Sequence, residues 1–133
     1  MKRSHLVAAI GIALASDTSL VEVYDPATDT WGVPGARMPT TRSALAYGVY
    51  NNRIYVAGGE SITALNNSVS RAFEAYDPAS NSWQSIGNMP LARYGLAGGI
   101  IGNRIHVVGG HITAAFGGGE PLNTAQHDAL ELR

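Results

Sequence analysis

The sequence predicts an all-β fold built of four-stranded antiparallel meanders, and three observations support this prediction. No segment of 11 or more residues spaces its apolar side chains with the period of a helix. Short runs of β-branched and aromatic residues alternate instead with Gly, Asn, Asp and Pro, which are typical of turns. The order of these runs is then repeated along the chain with a period of about 51 residues.

The repeat is visible in several matched segments that follow one another in the same order. Residues 21–31 read VEVYDPATDTW and residues 73–83 read FEAYDPASNSW. Each segment is followed by Met-Pro and, three residues after the Pro, by an arginine. The sequence NRIYVAGG at residues 52–59 matches NRIHVVGG at residues 103–110. So many identities in one order indicate repeated structural units rather than chance.

Four strands, named a to d in chain order, are predicted for each unit. Strand a at residues 43–50 is small and apolar, which suits a crowded place where backbones approach closely. Strand b at residues 53–57 is β-branched and aromatic and ends on Gly-Gly. A tight Asn-Asn turn joins these two strands, because such turns need positive φ angles. Strand c spans residues 73–76, and strand d begins at Trp83.

Composition excludes several classes of protein. The 133 residues suggest one domain or less, and the formal net charge of -1 gives no general attraction to nucleic acid or anionic membranes. The absence of cysteine excludes disulfides, zinc–thiolate sites and cysteine nucleophiles. The chain has no run of about 18 apolar residues, so it contains no ordinary transmembrane segment.

The Gly-Gly doublets, the Tyr-Asp-Pro turns, the spaced Trp and the Met-Pro with its arginine resemble the kelch repeat of bacterial-type kelch proteins. The resemblance covers about residues 21–132 and implies a β-propeller, in which each repeat is one radial blade. It also implies that the glycine-rich strands at residues 43–50 and 94–101 line a central channel. Proteins of this family most often bind other proteins through loops, although a shared fold does not determine function.

We expect about 2.5 blades, which is an incomplete propeller and the C-terminal part of a larger one. Residues 1–20 are predicted to hold degenerate first strands or a signal peptide, and residues 21–133 form the kelch-repeat region. In that region, residues 21–42 end the first blade and residues 43–90 form a complete blade. Residues 94–132 form a last blade without its outer strand, because no tryptophan follows strand c.

The N-terminal segment has three interpretations. Its basic start, the apolar stretch at residues 6–15 and the Ala-Leu-Ala before Ser16 match the layout of a secretory signal peptide. Alternatively, Arg-Ser-His-Leu at residues 3–6 aligns with Arg-Ser-Ala-Leu at residues 42–45 and is a propeller strand, or the segment is a start-site artefact. The compartment stays open accordingly: cytoplasmic, or periplasmic or secreted if residues 1–15 are a signal peptide.

The repeated residues are predicted to build the scaffold, because a scaffold residue recurs in every unit whereas a site residue usually does not. Aspartates before Pro accept backbone N–H bonds in turns, arginines bind loop carbonyls or a neighbouring acid, and aromatic rings pack between blades. The alternatives are an anion site for the arginines and a carbohydrate-stacking stripe for the aromatic rings. The predicted structural residues are Tyr24, Asp25, Trp31, Arg42, Gly58, Gly59, Tyr76, Asp77, Trp83, Arg93, Gly109 and Gly110.

No catalytic, cofactor-binding or metal site is predicted, and no cofactor. The four histidines have neither helical i, i+4 spacing nor an acidic cluster, and His106 replaces Tyr55 as a core substitution. The sequence contains neither a GxSxG nucleophile elbow nor a phosphate-binding loop, and the triple glycine at residues 117–119 is predicted to be a plain loop.

Two hypotheses of function follow, beside a third in which the chain is a truncated or non-functional product. In the first, the chain is a binding or scaffold module that recognises an unknown protein partner or small ligand, but no nucleic acid. The variable segments between strands b and c, residues 60–72 and 111–126, supply the contacts, and open blade faces allow self-association. In the second, the chain is a fragment of a carbohydrate-active enzyme such as a sialic-acid mutarotase. The related copper-radical oxidases need a tyrosine crosslinked to cysteine, so the lack of cysteine excludes their activity.

Overall fold

The computed structural model describes residues 18–62, 67–113 and 122–133, in which all regular secondary structure is β, so the all-β prediction is confirmed. The N-terminal strand or signal peptide predicted before residue 18 and the triple-glycine loop lie outside the described residues. The strands are β1 (Tyr24–Asp25), β2 (Thr30–Trp31), β3 (Ala46–Tyr50), β4 (Arg53–Ala57), β5 (Glu60–Ile62), β6 (Asn67–Val69), β7 (Ala72–Asp77), β8 (Ser82–Asn88), β9 (Ala97–Ile101), β10 (Arg104–Val108) and β11 (His127–Glu131).

A four-stranded antiparallel sheet, here called the middle unit, has the order β3-β4-β7-β8. Its first hairpin turns at Asn51 and Asn52, whose φ angles of 48° and 60° are those that a two-residue hairpin turn requires. The inner strand β3 begins at Ala46, three residues later than the sequence predicts. The residues before it bond instead to neighbouring segments, as described below.

Two smaller sheets flank the middle unit in sequence. The first unit contributes the ribbon β1-β2, in which Tyr24 pairs with Trp31, and it is joined to the following chain by a bridge from Val21 to Gly35. The last unit is a three-stranded antiparallel sheet with the order β11-β10-β9. The three sheets therefore repeat one meander with different numbers of described strands.

The segment between strands b and c of the middle unit contains a ribbon that the sequence analysis treats only as a variable loop. Strands β5 and β6 pair there, with Glu60 opposite Val69 and Ile62 opposite Asn67. The ribbon forms because the backbone leaves β4 through Gly58 and Gly59 and then stays extended.

Two hydrophobic clusters hold the units together, and strand β4 contributes to both. Its side chains alternate, so Ile54 and Val56 join the cluster with the first unit, whereas Tyr55 and Ala57 join the cluster with the last unit. The cluster with the first unit contains Val21, Met38, Ile54, Val56 and Tyr76. The cluster with the last unit contains Ala46, Tyr55, Ala57, Phe73, Ala75, Met89, Leu96, Ile105, Val107 and Leu132.

The inner strands β3 and β9 approach each other closely. A Cβ atom added at Gly98 would lie 2.7 Å from Ala46 Cβ, and one added at Gly48 would lie 2.6 Å from Ile100 Cδ1. Small residues in these strands thus let the two sheets meet along their inner edges. No helix occurs in the described ranges, so none there has the length and apolar character needed to cross a membrane.

Candidate functional site

Two equivalent backbone bridges lie just before the inner strands β3 and β9. In the middle unit, Ser43 and Glu60 exchange backbone N–H···O bonds of 2.9 and 3.0 Å. In the last unit, Tyr94 and His111 exchange bonds of 3.0 and 2.8 Å. The bridge residues are 51 positions apart in sequence, so the repeat builds the same backbone twice.

The glycine that precedes the second residue of each bridge fixes this backbone. Gly59 has a φ of 106° and Gly110 a φ of 99°, in the region that side-chain-bearing residues rarely adopt. A Cβ atom would lie 2.5 Å from Ser43 O at the first position and 2.6 Å from Tyr94 O at the second. Both glycines are therefore required by conformation and by close approach, which explains why the doublet recurs.

Arg42 directly precedes Ser43 of the first bridge and is completely buried. Its Nη2 is 2.8 Å from Glu74 Oε2, and Thr40 donates a hydrogen bond to the other carboxylate oxygen. Burial lowers the pKa of Arg42 from its usual value, and the charge of Glu74 opposes that change. The guanidinium is held by an acid of its own unit, which favours the scaffold role over an anion site.

Arg93 occupies the same position in the last unit and is also completely buried. Its Nη2 contacts Asp128 Oδ2 at 2.5 Å, and its Nη1 donates a 2.7 Å bond to the carbonyl of Gln126. The backbone carbonyl of Arg93 accepts a 2.9 Å bond from the N–H of Gly59. The side chain thus bonds within the last unit while the backbone bonds to the middle unit, so this residue joins the two.

The aromatic pairs differ between the first unit and the middle unit. Tyr76 and Trp83 pack with ring centroids 5.2 Å apart, and Trp83 Nε1 donates a 2.8 Å bond to the carbonyl of Ala36, which precedes the middle unit. Tyr24 and Trp31 keep the same 5.2 Å separation, but Trp31 is 58% exposed. Trp83 therefore packs against the chain that precedes its own unit, whereas the described contact of Trp31 is with Tyr24 of its own unit.

The aspartates of the repeated Tyr-Asp-Pro turns accept local backbone hydrogen bonds. Asp25 Oδ1 accepts from the N–H of Ala27, and Asp77 Oδ1 accepts from the N–H of Ala79, both at 2.9 Å. These are Asx turns, in which the carboxylate caps its own turn. The two carboxylates therefore serve the local turns.

The bridges carry side chains of different chemistry. Tyr94 and His111 pack with ring centroids 5.0 Å apart, and Glu60 and Tyr94 are largely buried at the junction of the middle and last units. Burial raises the pKa of Tyr94, and the nearby charge of Glu60 raises it further. Ser43 and Tyr94 were missed by the sequence analysis, although each directly follows a repeated arginine and differs between units.

His106 is partly exposed on the face of the last unit opposite the one that packs on the middle unit, and its ring lies against that of His127. Among the described residues, no group of three or more side chains is arranged to hold a metal ion.

Comparison with known proteins agrees with this geometry. The model of the Kelch motif matches residues 41–90, which include the whole middle unit. The chain belongs to the kelch-repeat proteins. Kelch-like protein 15 from Gallus gallus is 30% identical over 93 residues, covering 70% of this chain and 18% of that protein. Kelch-like protein 40 from Mus musculus is 33% identical over 106 residues, covering 80% of this chain and 16% of that protein.

A solved structure supports the fold. The structure of YjhT, a kelch β-propeller, matches with a TM-score of 0.57 at 20% sequence identity, covering 74% of this chain and 32% of that one. At this identity the match shows the fold alone. The sheets described above are therefore kelch-type propeller blades, as the repeat predicts. The kelch chain described here spans less than a fifth of the length of the curated relatives it matches.

Proposed function

We propose that this kelch chain is a protein-interaction module and that its partner binds to the face formed by the two bridges. This bridge face comprises Ser43, Glu60, Tyr94 and His111, together with the ribbon β5-β6 that extends from Glu60. The proposal rests on one observation: the two bridges have the same pattern of backbone hydrogen bonds but carry different side chains. The arginines and glycines around the bridges are the same in both units, whereas the bridge residues are Ser and Glu in one and Tyr and His in the other.

This contrast separates scaffold from recognition. A position that the fold needs is repeated in each unit, as the buried Arg42 and Arg93 are. A position that meets a partner is free to differ between units, because each unit faces another part of that partner. Of the four bridge side chains, Ser43 and His111 are partly exposed and offer a hydroxyl and an imidazole to a partner, whereas Glu60 and Tyr94 are largely buried between the units.

The relatives support the same class of function. Kelch-like ECH-associated protein 1A from Danio rerio, whose name records an association with ECH, is 29% identical over 90 residues, covering 68% of this chain and 15% of that protein. The similarity to these relatives supports a binding role and does not identify the partner. No observation on the described residues specifically favours a carbohydrate-active enzyme.

The proposal is tested by isolating partners from extracts of the source organism and then measuring the affinity of each purified partner for purified variants. Ser43→Ala and His111→Ala change the partly exposed residues of the bridge face, whereas Gln84→Ala changes an exposed residue of the outer strand β8 and serves as the control. We expect the two bridge variants to weaken binding by about tenfold or more, because a few central contacts dominate most interfaces. Unchanged affinity in both bridge variants, with a folded chain, would contradict the proposal.

A further inference from the structure

The exposed residue Ala44 has a backbone conformation that alanine rarely adopts. Its φ angle is 50°, in the left-handed region, where the Cβ atom of an L-residue crowds the following carbonyl oxygen. The other non-glycine residues with positive φ among those the structure describes are Asp29, Asn51, Asn52 and Asn81. Asp and Asn tolerate this region better, because their short polar side chains can form local hydrogen bonds. Ala44 is therefore the one described residue that is held there with neither the freedom of glycine nor such a side chain.

The repeated backbone requires this conformation at Ala44. The residue directly follows Ser43 of the first bridge, and its equivalent Gly95 directly follows Tyr94 of the second. Gly95 has nearly the same φ angle, 60°, and its N–H donates a 2.8 Å hydrogen bond to the carbonyl of Ala44. A glycine at residue 44 would adopt the same backbone without strain. The methyl group of Ala44 therefore costs the folded chain stability.

The hydrophobic clusters do not account for this methyl group. Ala44 belongs to neither cluster of the described residues, and it is exposed. Gly95 is exposed as well, although the complete middle unit precedes it, so exposure is a property of this position in the repeat. Strained backbone of this kind concentrates where proteins contact their ligands.

We propose that the methyl group of Ala44 contacts the partner of the bridge face, and that the partner places an apolar side chain on it. This inference rests on the proposed function, because Ala44 lies between Ser43 of the bridge face and the start of β3. A methyl group forms no ordinary hydrogen bond, so an apolar group is the contact that gains from burying it. The last unit leaves less room for a methyl group, since a Cβ atom at Gly95 would lie 3.3 Å from His111 Cδ2. The contact is therefore specific to the middle unit.

The first measurement is the melting temperature of two variants, and it needs no partner. Ala44→Gly removes the left-handed alanine and is expected to raise the melting temperature by about 2–5 °C. Gly95→Ala makes the reverse exchange in the last unit and is expected to lower it by at least as much, because the added methyl group also meets His111. An Ala44→Gly variant that melts at or below the temperature of the original chain would show that residue 44 is not strained, and would overturn the proposal.

The second measurement is the affinity for the protein partner that is purified in the test of the bridge face, by isothermal titration calorimetry. We expect Ala44→Gly to weaken binding about threefold to fivefold, the loss for one buried methyl group, although this variant is the more stable one. Ala44→Asn keeps a residue that tolerates positive φ but places an amide against the apolar contact, and about tenfold weaker binding is expected. Asn51→Gly is the matched control, because it changes a residue of positive φ beyond the other end of β3. Its affinity should equal that of the original chain.

The outcomes separate this contact from the proposed function. Weaker binding by both Ala44 variants, with unchanged binding by Asn51→Gly, supports the contact. Unchanged affinity in Ala44→Gly overturns it, and the bridge variants Ser43→Ala and His111→Ala then decide whether the proposed function is also wrong. An Ala44→Asn variant that binds as tightly as the original chain would show that the contact is not apolar. Equal weakening in Asn51→Gly would trace the loss to the backbone rather than to the methyl group, and would overturn the contact as well.

Discussion

The middle and last units share one backbone plan but differ in what their residues meet. Each unit buries an arginine that pairs with an acid at the same position of strand c. The acid is Glu74 in the middle unit and Asp128 in the last unit. In the middle unit, the doublet residue Gly58 is packed against the next unit, where a Cβ atom would lie 2.6 Å from the carbonyl of Arg93. Within the described ranges, a Cβ atom at its equivalent Gly109 would meet only the carbonyl of Thr124, at 3.6 Å.

This difference separates two reasons for repetition in a sequence. Some residues recur because the unit itself cannot form without them, and these have the same surroundings in both units. Others recur because a neighbouring unit packs against them, and their importance then depends on that neighbour. Mutations made in pairs, one in each unit, distinguish the two reasons.

The largest effect is expected at the buried arginines, where the two units should respond alike. Arg42→Ala and Arg93→Ala each leave a buried carboxylate without its charge partner, which costs about 3–5 kcal/mol of unfolding free energy. Urea unfolding followed by circular dichroism measures both. The exposed Arg104→Ala is the control and should cost less than about 1 kcal/mol. A loss as small as the control at either buried position would show that the ion pair is not needed.

The glycine doublets should respond unequally. Gly58→Ala adds a backbone clash with Arg93 to the cost of a positive φ, giving about 3 kcal/mol in total. Gly109→Ala carries only the conformational cost, about 1 kcal/mol. Gly59→Ala and Gly110→Ala, which clash in both units, provide the matched pair that should lose stability equally. Equal losses for Gly58→Ala and Gly109→Ala would contradict the role given to the neighbouring unit.

The middle unit is also compared with the first unit through their tryptophans. Trp83→Ala removes a half-buried ring and its bond to Ala36 and is expected to cost about 2 kcal/mol, since full burial would cost about 3–5. Trp31→Ala removes a ring that contacts Tyr24 but is mostly exposed, so about 1 kcal/mol or less is expected. Denaturant midpoints measure the order. A larger loss at Trp31 would show that the exposed ring has a structural partner.

The sequence alone predicts the repeated features well, because each rests on local chemistry. The Asn-Asn hairpin turn and the Asx turns follow from the residues that form them. What it misses depends on pairing across the sheet. His106 and His127 are 21 residues apart, and only the register of β10 with β11 brings their rings together. The ribbon β5-β6 is missed because its short strands lack an alternating pattern.

The smallest expected effect at neutral pH concerns the bridges, where Tyr94 stands in place of Ser43. Burial and the charge of Glu60 raise the pKa of Tyr94 above its usual value of about 10, so the folded chain disfavours the ionised phenol. Well below pH 10 the phenol is protonated in the folded and unfolded chains alike, and the stability that the folded chain gains by keeping the phenol protonated is fully present. It is lost as the pH rises from about 10 through the raised pKa of the folded chain.

Tyr94→Phe keeps the ring but removes the ionisable group. We expect its unfolding free energy to match that of the original chain within about 0.5 kcal/mol at pH 7, and to fall less between about pH 9 and pH 11. Tyr76→Phe is the comparison in the middle unit. Burial and then the charge of Asp77 raise the pKa of Tyr76 as well, but its hydroxyl also donates a 2.9 Å bond to Asn81. The unfolding free energy of Tyr76→Phe should therefore be lower than that of the original chain at pH 7, and it should also fall less between about pH 9 and pH 11. Urea titrations at about pH 7, 9 and 11 measure the unfolding free energy of each variant. If the unfolding free energy of Tyr94→Phe falls as much between about pH 9 and pH 11 as that of the original chain, the phenol of Tyr94 ionises as freely in the folded chain as in the unfolded one.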